Sequence, residues 1–441
     1  MTLLVISPDY ASHLLPLATI ASAWQQAGEE VVVATGTATA ELVTSFGFRR
    51  TELRLGRGSN PGVIRARDQP PGEDDALRGF FAATRSGMVE TLRYQAAARS
   101  TDLLWEPVPV GRRVLDVIDE VRPDEIIVDH LAFSARIALD AAQIPYGDVV
   151  LGHPSALPVG TEVYGHPPSW PDCFDPDPAE LSALLRLCQE VSARFTEQWN
   201  AASTALGSTA AEVEDAFALS GDLLLFNYPE QLHPADRTAL LPPHRFLGST
   251  VRQEAFDAEV DAWLAAAEEP LVYVSFGSFL SARGDVLATV VDGLRGLARH
   301  GCRVRVALAT GSADPDGFGE IPDGWLVREY LPQVTILARA AAIVTHAGNN
   351  SVTEAAAAGV PMVLLPFSTD QFAGAAAVVA AGTGIALDPN AATGADVTTA
   401  LLAALDRGVV GRAAELGHLL RASPGPALAR RTLSALTGPV G

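Results

Sequence analysis

The residues best suited to chemistry lie in one stretch, where Ile343-Val344-Thr345 runs into His346-Ala347-Gly348-Asn349-Asn350-Ser351-Val352-Thr353-Glu354 and continues through Gly359, Pro361, Pro366 and Asp370-Gln371. The apolar run predicts a buried strand ending at Thr345, followed by a turn of small residues and a helix opening near Asn350. Such a junction attracts anions, because the free N–H groups and the dipole of the helix converge on whatever sits above the turn. Gly348 lets the backbone approach closely, and a diphosphate suits the space. Ser351-x-x-Glu354 also fits a capping box, in which each side chain satisfies a helix N–H. For that pair alone both roles stay open.

A second candidate sits near the other end. A strand predicted over Leu3–Ser7 leads into Asp9-Tyr10-Ala11-Ser12-His13-Leu14-Leu15-Pro16, and then a helix over Leu17–Ala27. An imidazole at the mouth of that turn, with an ordinary pKa of about 6.5, suits general-base work near neutrality. On residue type alone, such a histidine is more often structural.

These residues must be positioned by a repeating scaffold. Short β-rich runs alternate with helical segments, as in parallel sheets covered by helices on both faces. Strands are predicted at Leu3–Ser7, Val31–Ala34, Glu125–Asp129, Tyr146–Val150 and Asp222–Asn227. A second series covers Leu271–Phe276, Arg303–Ala309, Trp325–Arg328, Ala341–Thr345, Met362–Leu365 and Gly384–Leu387. The expected division is a domain over 1–245, a linker over 246–269, a second domain over 270–425, and a helix over 426–441 packing back on the first domain. Two Pro-rich stretches, Gly56–Asp75 and Gly152–Pro178, read as long loops after strands of the first sheet, where ligands of such sheets collect.

Composition narrows the partners. A chain of 441 residues is long enough for two domains, and 52 acidic against 31 basic residues, all arginine, argue against nucleic-acid polymers and anionic membranes. The most lipid-like stretch, Ala375–Leu387, is short of the roughly 20 residues that span a bilayer. Leu3–Ile6 runs straight into Ser7-Pro8-Asp9, unlike a signal peptide. Cys173, Cys188 and Cys302 lack metal or disulfide spacing and fit a reducing cytoplasm. Asp175-Pro176-Asp177 and Asp314-Pro315-Asp316 lie in loops with no strand to aim both carboxylates, so no metal is expected.

The stretch around His346 resembles the C-terminal signature of the nucleotide-diphosphate-sugar glycosyltransferase superfamily of plant and bacterial natural-product enzymes. Its pattern H-x-G-x-N-S-x-x-E, G-x-P, P-x-x-x-D-Q is matched at His346, Gly348, Asn350, Ser351, Glu354, Gly359, Pro361, Pro366, Asp370 and Gln371. Upstream, W-x-P-Q appears as Tyr330-Leu331-Pro332-Gln333, with tyrosine for tryptophan, and Val274–Ser278 resembles the first strand and phosphate loop of that domain. His13-x-x-Pro16 is similar to the family's first loop, G-H-x-x-P, with Ser12 in place of glycine.

The resemblance implies a GT-B fold, two Rossmann-like domains facing across a cleft, and metal-independent, inverting transfer of a hexose from a nucleotide sugar to a small-molecule acceptor. By the same resemblance, His346, Gly348, Asn350, Ser351 and Ser278 hold the diphosphate, Glu354 accepts from the ribose, Tyr330 stacks on the base and Gln333 positions the ribose. Asp370 and Gln371 take the sugar hydroxyls. His13 becomes the base and Asp129, ending a predicted strand, its orienting partner; helix capping is the alternative role for Asp129. No resident cofactor is implied. A UDP-hexose is the expected co-substrate over a dTDP-sugar, because a buried Glu354 oxygen left without the 2′-hydroxyl would go unpaired.

Phe80, Phe81, Met88, Trp105, His153 and Trp170 are candidates for an aromatic acceptor pocket, and most suit a core equally well. The acceptor itself stays open, as does a monomer or a homodimer. The competing functions are a catalytically silent auxiliary protein on the same fold and a nucleotide-sugar epimerase. Retention of His13, Glu354, Asp370 and Gln371 argues against the silent protein, and the epimerase would require a different carboxylate set.

Overall fold

The computed structural model describes residues 1–62, 73–266 and 268–437. Half of the first expected loop, residues 63–72, lies outside them. Seven strands form the first sheet: β1 (Thr2–Ile6), β2 (Glu30–Thr35), β3 (Arg49–Glu52), β4 (Glu125–Asp129), β5 (Gly147–Val150), β6 (Leu223–Phe226) and β7 (His244–Phe246). Six form the second: β8 (Leu271–Ser275), β9 (Arg305–Ala309), β10 (Leu326–Arg328), β11 (Ala340–Thr345), β12 (Met362–Leu364) and β13 (Gly384–Ala386). The orders are β3-β2-β1-β4-β5-β6-β7 and β10-β9-β8-β11-β12-β13, and every strand pair is parallel. This is the two-sheet GT-B architecture that the resemblance implies.

The central strands are apolar along their whole length because helices cover both faces. Leu3, Leu4, Val5 and Ile6 are fully buried, as are Ile343, Val344 and Thr345. Val5 lies between Val33 and Ile127, and Val274 between Leu308 and Val344.

Strand order then dictates where a site can form. In each sheet the chain turns outward in both directions from the central pair, β1/β4 in the first and β8/β11 in the second, and a crevice opens above the carboxyl ends of such a pair. His13 follows β1 and Asp129 ends β4. Gly277 follows β8 and His346 follows β11. All four therefore belong to switch points, which is why residues far apart in sequence meet.

Two strands were not foreseen. β3 reads Arg-Arg-Thr-Glu and β7 His-Arg-Phe; both are short, half-exposed edge strands with little apolar signal. β7 also runs one residue past the expected end of the first domain. The first helix begins at Ala11, not Leu17, so His13 occupies its first turn. The last helix, Gly425–Thr437, returns to the first sheet, where Ala429 and Leu433 are fully buried and Arg430 pairs with Glu29 at 2.7 Å. Among the described residues no helix is long and apolar enough to cross a membrane.

Candidate active site

On the first domain, the His13 Nδ1 lies 2.7 Å from Asp129 Oδ2. Asp129 is 1% exposed and the His13 side chain 28%, so the carboxylate is sealed beneath an imidazole that still reaches solvent. The other oxygen, Oδ1, accepts from the Leu131 N–H at 2.8 Å. That bond closes a turn ahead of the helix Phe133–Ala141, whose N-cap residue is Ala132 with no side-chain cap, so the alternative helix-capping role of Asp129 does not form. Burial alone would lower the His13 pKa, but the charge and hydrogen bond of Asp129, with the charge of Asp370 across the cleft, raise it above its ordinary value. His130 points the opposite way along the strand and meets buried Asp148 at 3.0 Å.

Pro16, three residues after His13, has a definite task. It lies inside the helix Ala11–Gln26, and without an N–H it leaves the Ser12 carbonyl free of its usual partner. The Asn350 Nδ2 of the second domain donates to that carbonyl at 3.0 Å.

On the second domain, the helix Asn349–Ala358 starts with Gly348 as its N-cap residue and no side-chain cap. The first intrahelical bond runs from Val352 N–H to Gly348 carbonyl, 3.0 Å, so the N–H groups of Asn349, Asn350 and Ser351 precede the ladder at the positive end of the dipole. The capping box does not form, because Ser351 is already in the helix.

Gly348 acts differently from expectation. Its φ of −62° is ordinary, and a Cβ there would collide with His346 Nε2. Gly277 plays the same part, at φ +68°, where a Cβ would lie 3.0 Å from His346 Cε1. The two glycines make a slot for one imidazole. Burial lowers the pKa of His346 to about 4, against a backbone contact with Ser275, so at neutral pH it is an uncharged N–H donor. Ala347, between His346 and Gly348, holds φ +65°, a left-handed turn unusual for alanine.

Several expected donor residues have protein partners. Glu354 is 6% exposed; its Oε1 accepts from Arg252 Nη1 and its Oε2 from Gln333 Nε2 at 2.6 Å. Ser351 Oγ reaches Gln333 Oε1 at 3.4 Å. Asp370 Oδ2 accepts from the His153 N–H at 2.6 Å, tying the two domains, and a Cβ at Gly152 would lie only 2.7 Å from that oxygen. Gln371 Oε1 accepts from the N–H groups of Phe367 and Ser368, at 3.0 and 3.2 Å. Tyr330 is 65% exposed and lies near Arg252 and Glu354. The Ser278 side chain lies outside the described residues.

A profile of the family described as UDP-glucoronosyl and UDP-glucosyl transferase matches residues 183–412, more than half of the chain. The chain belongs to this family. As a UDP-glucosyl transferase family member it is 26% identical over 204 residues to NDP-glycosyltransferase YjiC of Bacillus licheniformis, covering 43% of this chain and 50% of that one. It is 33% identical over 179 residues to the vancomycin aglycone glucosyltransferase of Amycolatopsis orientalis, 41% and 42%. The matched stretch thus spans half or less of these relatives' length. In structure it is similar to spinosyn rhamnosyltransferase SpnG complexed with thymidine diphosphate, with TM-score 0.66, 21% identity, and 98% and 100% coverage; at that identity the likeness bears on the fold.

Against the family pattern, the acceptor candidates scatter. Phe80 and Phe81 pack on Phe279 of the second domain, at 5.1 and 5.3 Å between ring centres. Phe81 also borders a cavity of about 680 Å³ at the ends of β8–β10, with Thr310, Ser312 and Arg328. Trp105 lies under Arg54 against the core of the first sheet. Met88 and Trp170 share a cluster with Phe174 and Phe372, next to Gln371. His153 is buried, stacks edge-on with Tyr228, and burial holds its pKa well below normal.

The residues missed from sequence are those that join domains. Asn349 Nδ2 donates to the Leu151 and Asn227 carbonyls, at 2.6 and 3.1 Å, and Arg252 comes from the linker. Asn349 lay within the motif, but nothing in one sequence distinguishes an asparagine that faces a ligand from one that faces another loop.

Proposed function

We propose that the chain is an inverting, metal-independent glycosyltransferase that moves a hexose from a nucleoside-diphosphate sugar to a small-molecule acceptor of natural-product type. The observation that carries this is the His13–Asp129 pair, 2.7 Å apart, on the domain facing the uncapped start of the helix Asn349–Ala358. Asp129 fixes the proton on Nδ1, so Nε2 takes the proton of the acceptor hydroxyl. The acceptor oxygen bonds to the anomeric carbon as the bond to the diphosphate oxygen breaks on the opposite side. Negative charge then grows on the diphosphate, where helix N–H groups and neutral His346 are already oriented. One displacement inverts the anomeric centre.

The metal-free reading is supported by the two Asp-x-Asp runs, in each of which one carboxylate caps a helix: Asp177 accepts from the N–H groups of Ala179 and Glu180, and Asp314 from that of Asp316. Likeness to the vancomycin aglycone glucosyltransferase and the spinosyn rhamnosyltransferase supports the acceptor class. The UDP preference rested on an unpaired Glu354 oxygen. Both oxygens have partners, so that premise fails, while thymidine diphosphate is bound on the same fold by the spinosyn enzyme.

The test is incubation of the purified protein with several nucleotide sugars and a mixed aglycone panel, read by mass spectrometry with and without EDTA. A product heavier by one hexosyl unit is expected in both arms. No product with any pair, or strict dependence on Mg²⁺ or Mn²⁺, contradicts the proposal.

A further inference from the structure

We propose that Arg252 sets the nucleotide preference of the donor site, by keeping Glu354 paired whether or not the ribose carries a 2′-hydroxyl. This rests on the donor-site reading above. Glu354 is a buried carboxylate, and burial pushes its pKa up against the opposing pull of Arg252 and Gln333. A carboxylate in that position needs donors. If the ribose supplied them, a 2′-deoxyribose would leave one oxygen unpaired and would be penalised. Arg252 Nη1 and Gln333 Nε2 supply one donor to each oxygen from within the protein. A carboxylate has about four lone-pair sites, so a ribose hydroxyl can still bind, but its absence no longer strands a buried acceptor.

The arginine is built into place rather than resting there. Two residues before it, Thr250 N–H and Oγ1 donate to Asn227 Oδ1 at 3.1 and 3.0 Å, anchoring the linker on the first domain. Two residues after it, Glu254 accepts from Arg252 Nη2 at 3.0 Å and from Thr335 N–H and Oγ1 at 3.0 and 3.2 Å, anchoring it on the second. The guanidinium, 14% exposed, is therefore held between two carboxylates, and its fixed fork suits that geometry.

The experiment is calorimetric titration of UDP and dTDP into the full-length wild type, Arg252→Leu and Arg252→Lys at pH 8. The wild type is expected to bind the two nucleotides within about fivefold of each other. Arg252→Leu should raise the preference for UDP by roughly tenfold, through weaker dTDP binding, as one buried acceptor loses its donor. Arg252→Lys, which retains a charged donor, should stay near the wild-type ratio. A wild type that favours UDP by more than about tenfold overturns the inference even if Arg252→Leu does not fold, as does an unchanged ratio in a folded Arg252→Leu. Binding of both nucleotides with either result leaves the donor-site reading standing, whereas binding of neither overturns that reading and the inference with it.

Discussion

The two halves of the candidate site are built in different ways. In the second domain the site is made of backbone: the uncapped start of a helix, the left-handed turn at Ala347, and Gly277 and Gly348 making a slot for His346. In the first it is made of side chains brought together by strand order, His13 from after β1 and Asp129 from the end of β4. A backbone site must be written as a contiguous motif, because the turn, the glycines and the helix start follow one another along the chain. A side-chain site needs only that two strands be neighbours, so its members can be more than a hundred residues apart.

That contrast can be broken most sharply by His13→Ala. Turnover should fall by roughly 10²–10⁴-fold, the usual worth of a general base, while UDP affinity measured by calorimetry stays near wild type. A rate left intact, or a large loss of affinity, would show that the two functions are not divided between the domains.

Asp129→Asn sharpens the first half of the comparison. We expect a loss of about 10–100-fold, part of the general-base contribution, and a shift in pH dependence whose sign is fixed. Asp129 raises the His13 pKa, so the wild-type base is protonated and inactive below a pKa that lies above its ordinary value. Without the charge, burial acts unopposed by Asp129, the pKa falls, and the acidic limb of kcat/KM moves to lower pH. An unmoved limb would mean that His13 is not the group titrating.

Gly348→Ala addresses the second half. The added methyl displaces the His346 ring, and the loss of a donor to a diphosphate should weaken UDP binding by about tenfold, with the pH profile of turnover unchanged. Pro16→Ala is the mildest. It restores an N–H that competes with Asn350 for the Ser12 carbonyl, and KM for the donor should rise by about threefold, the worth of one neutral hydrogen bond.

The same distinction explains what sequence alone made legible. Eleven strands and the motif from His346 to Gln371 were readable because buried strands and glycine turns leave local patterns. Edge strands β3 and β7 were not, since half-exposed edges carry polar residues. Phe80 and Trp105 show the same limit, because an aromatic side chain packed on Phe279 or against the first sheet has the same local sequence as one facing a ligand. Arg252 was invisible for a related reason: its meaning depends on Glu354, 102 positions away.

The most direct measurement of the central claim is the anomeric configuration of the product, read by proton NMR after transfer from an α-linked nucleotide sugar. A single displacement assisted by His13 gives a β-linked product. An α-linked product would require a covalent intermediate or front-face attack, and would contradict the assignment of His13 as the base of an inverting reaction.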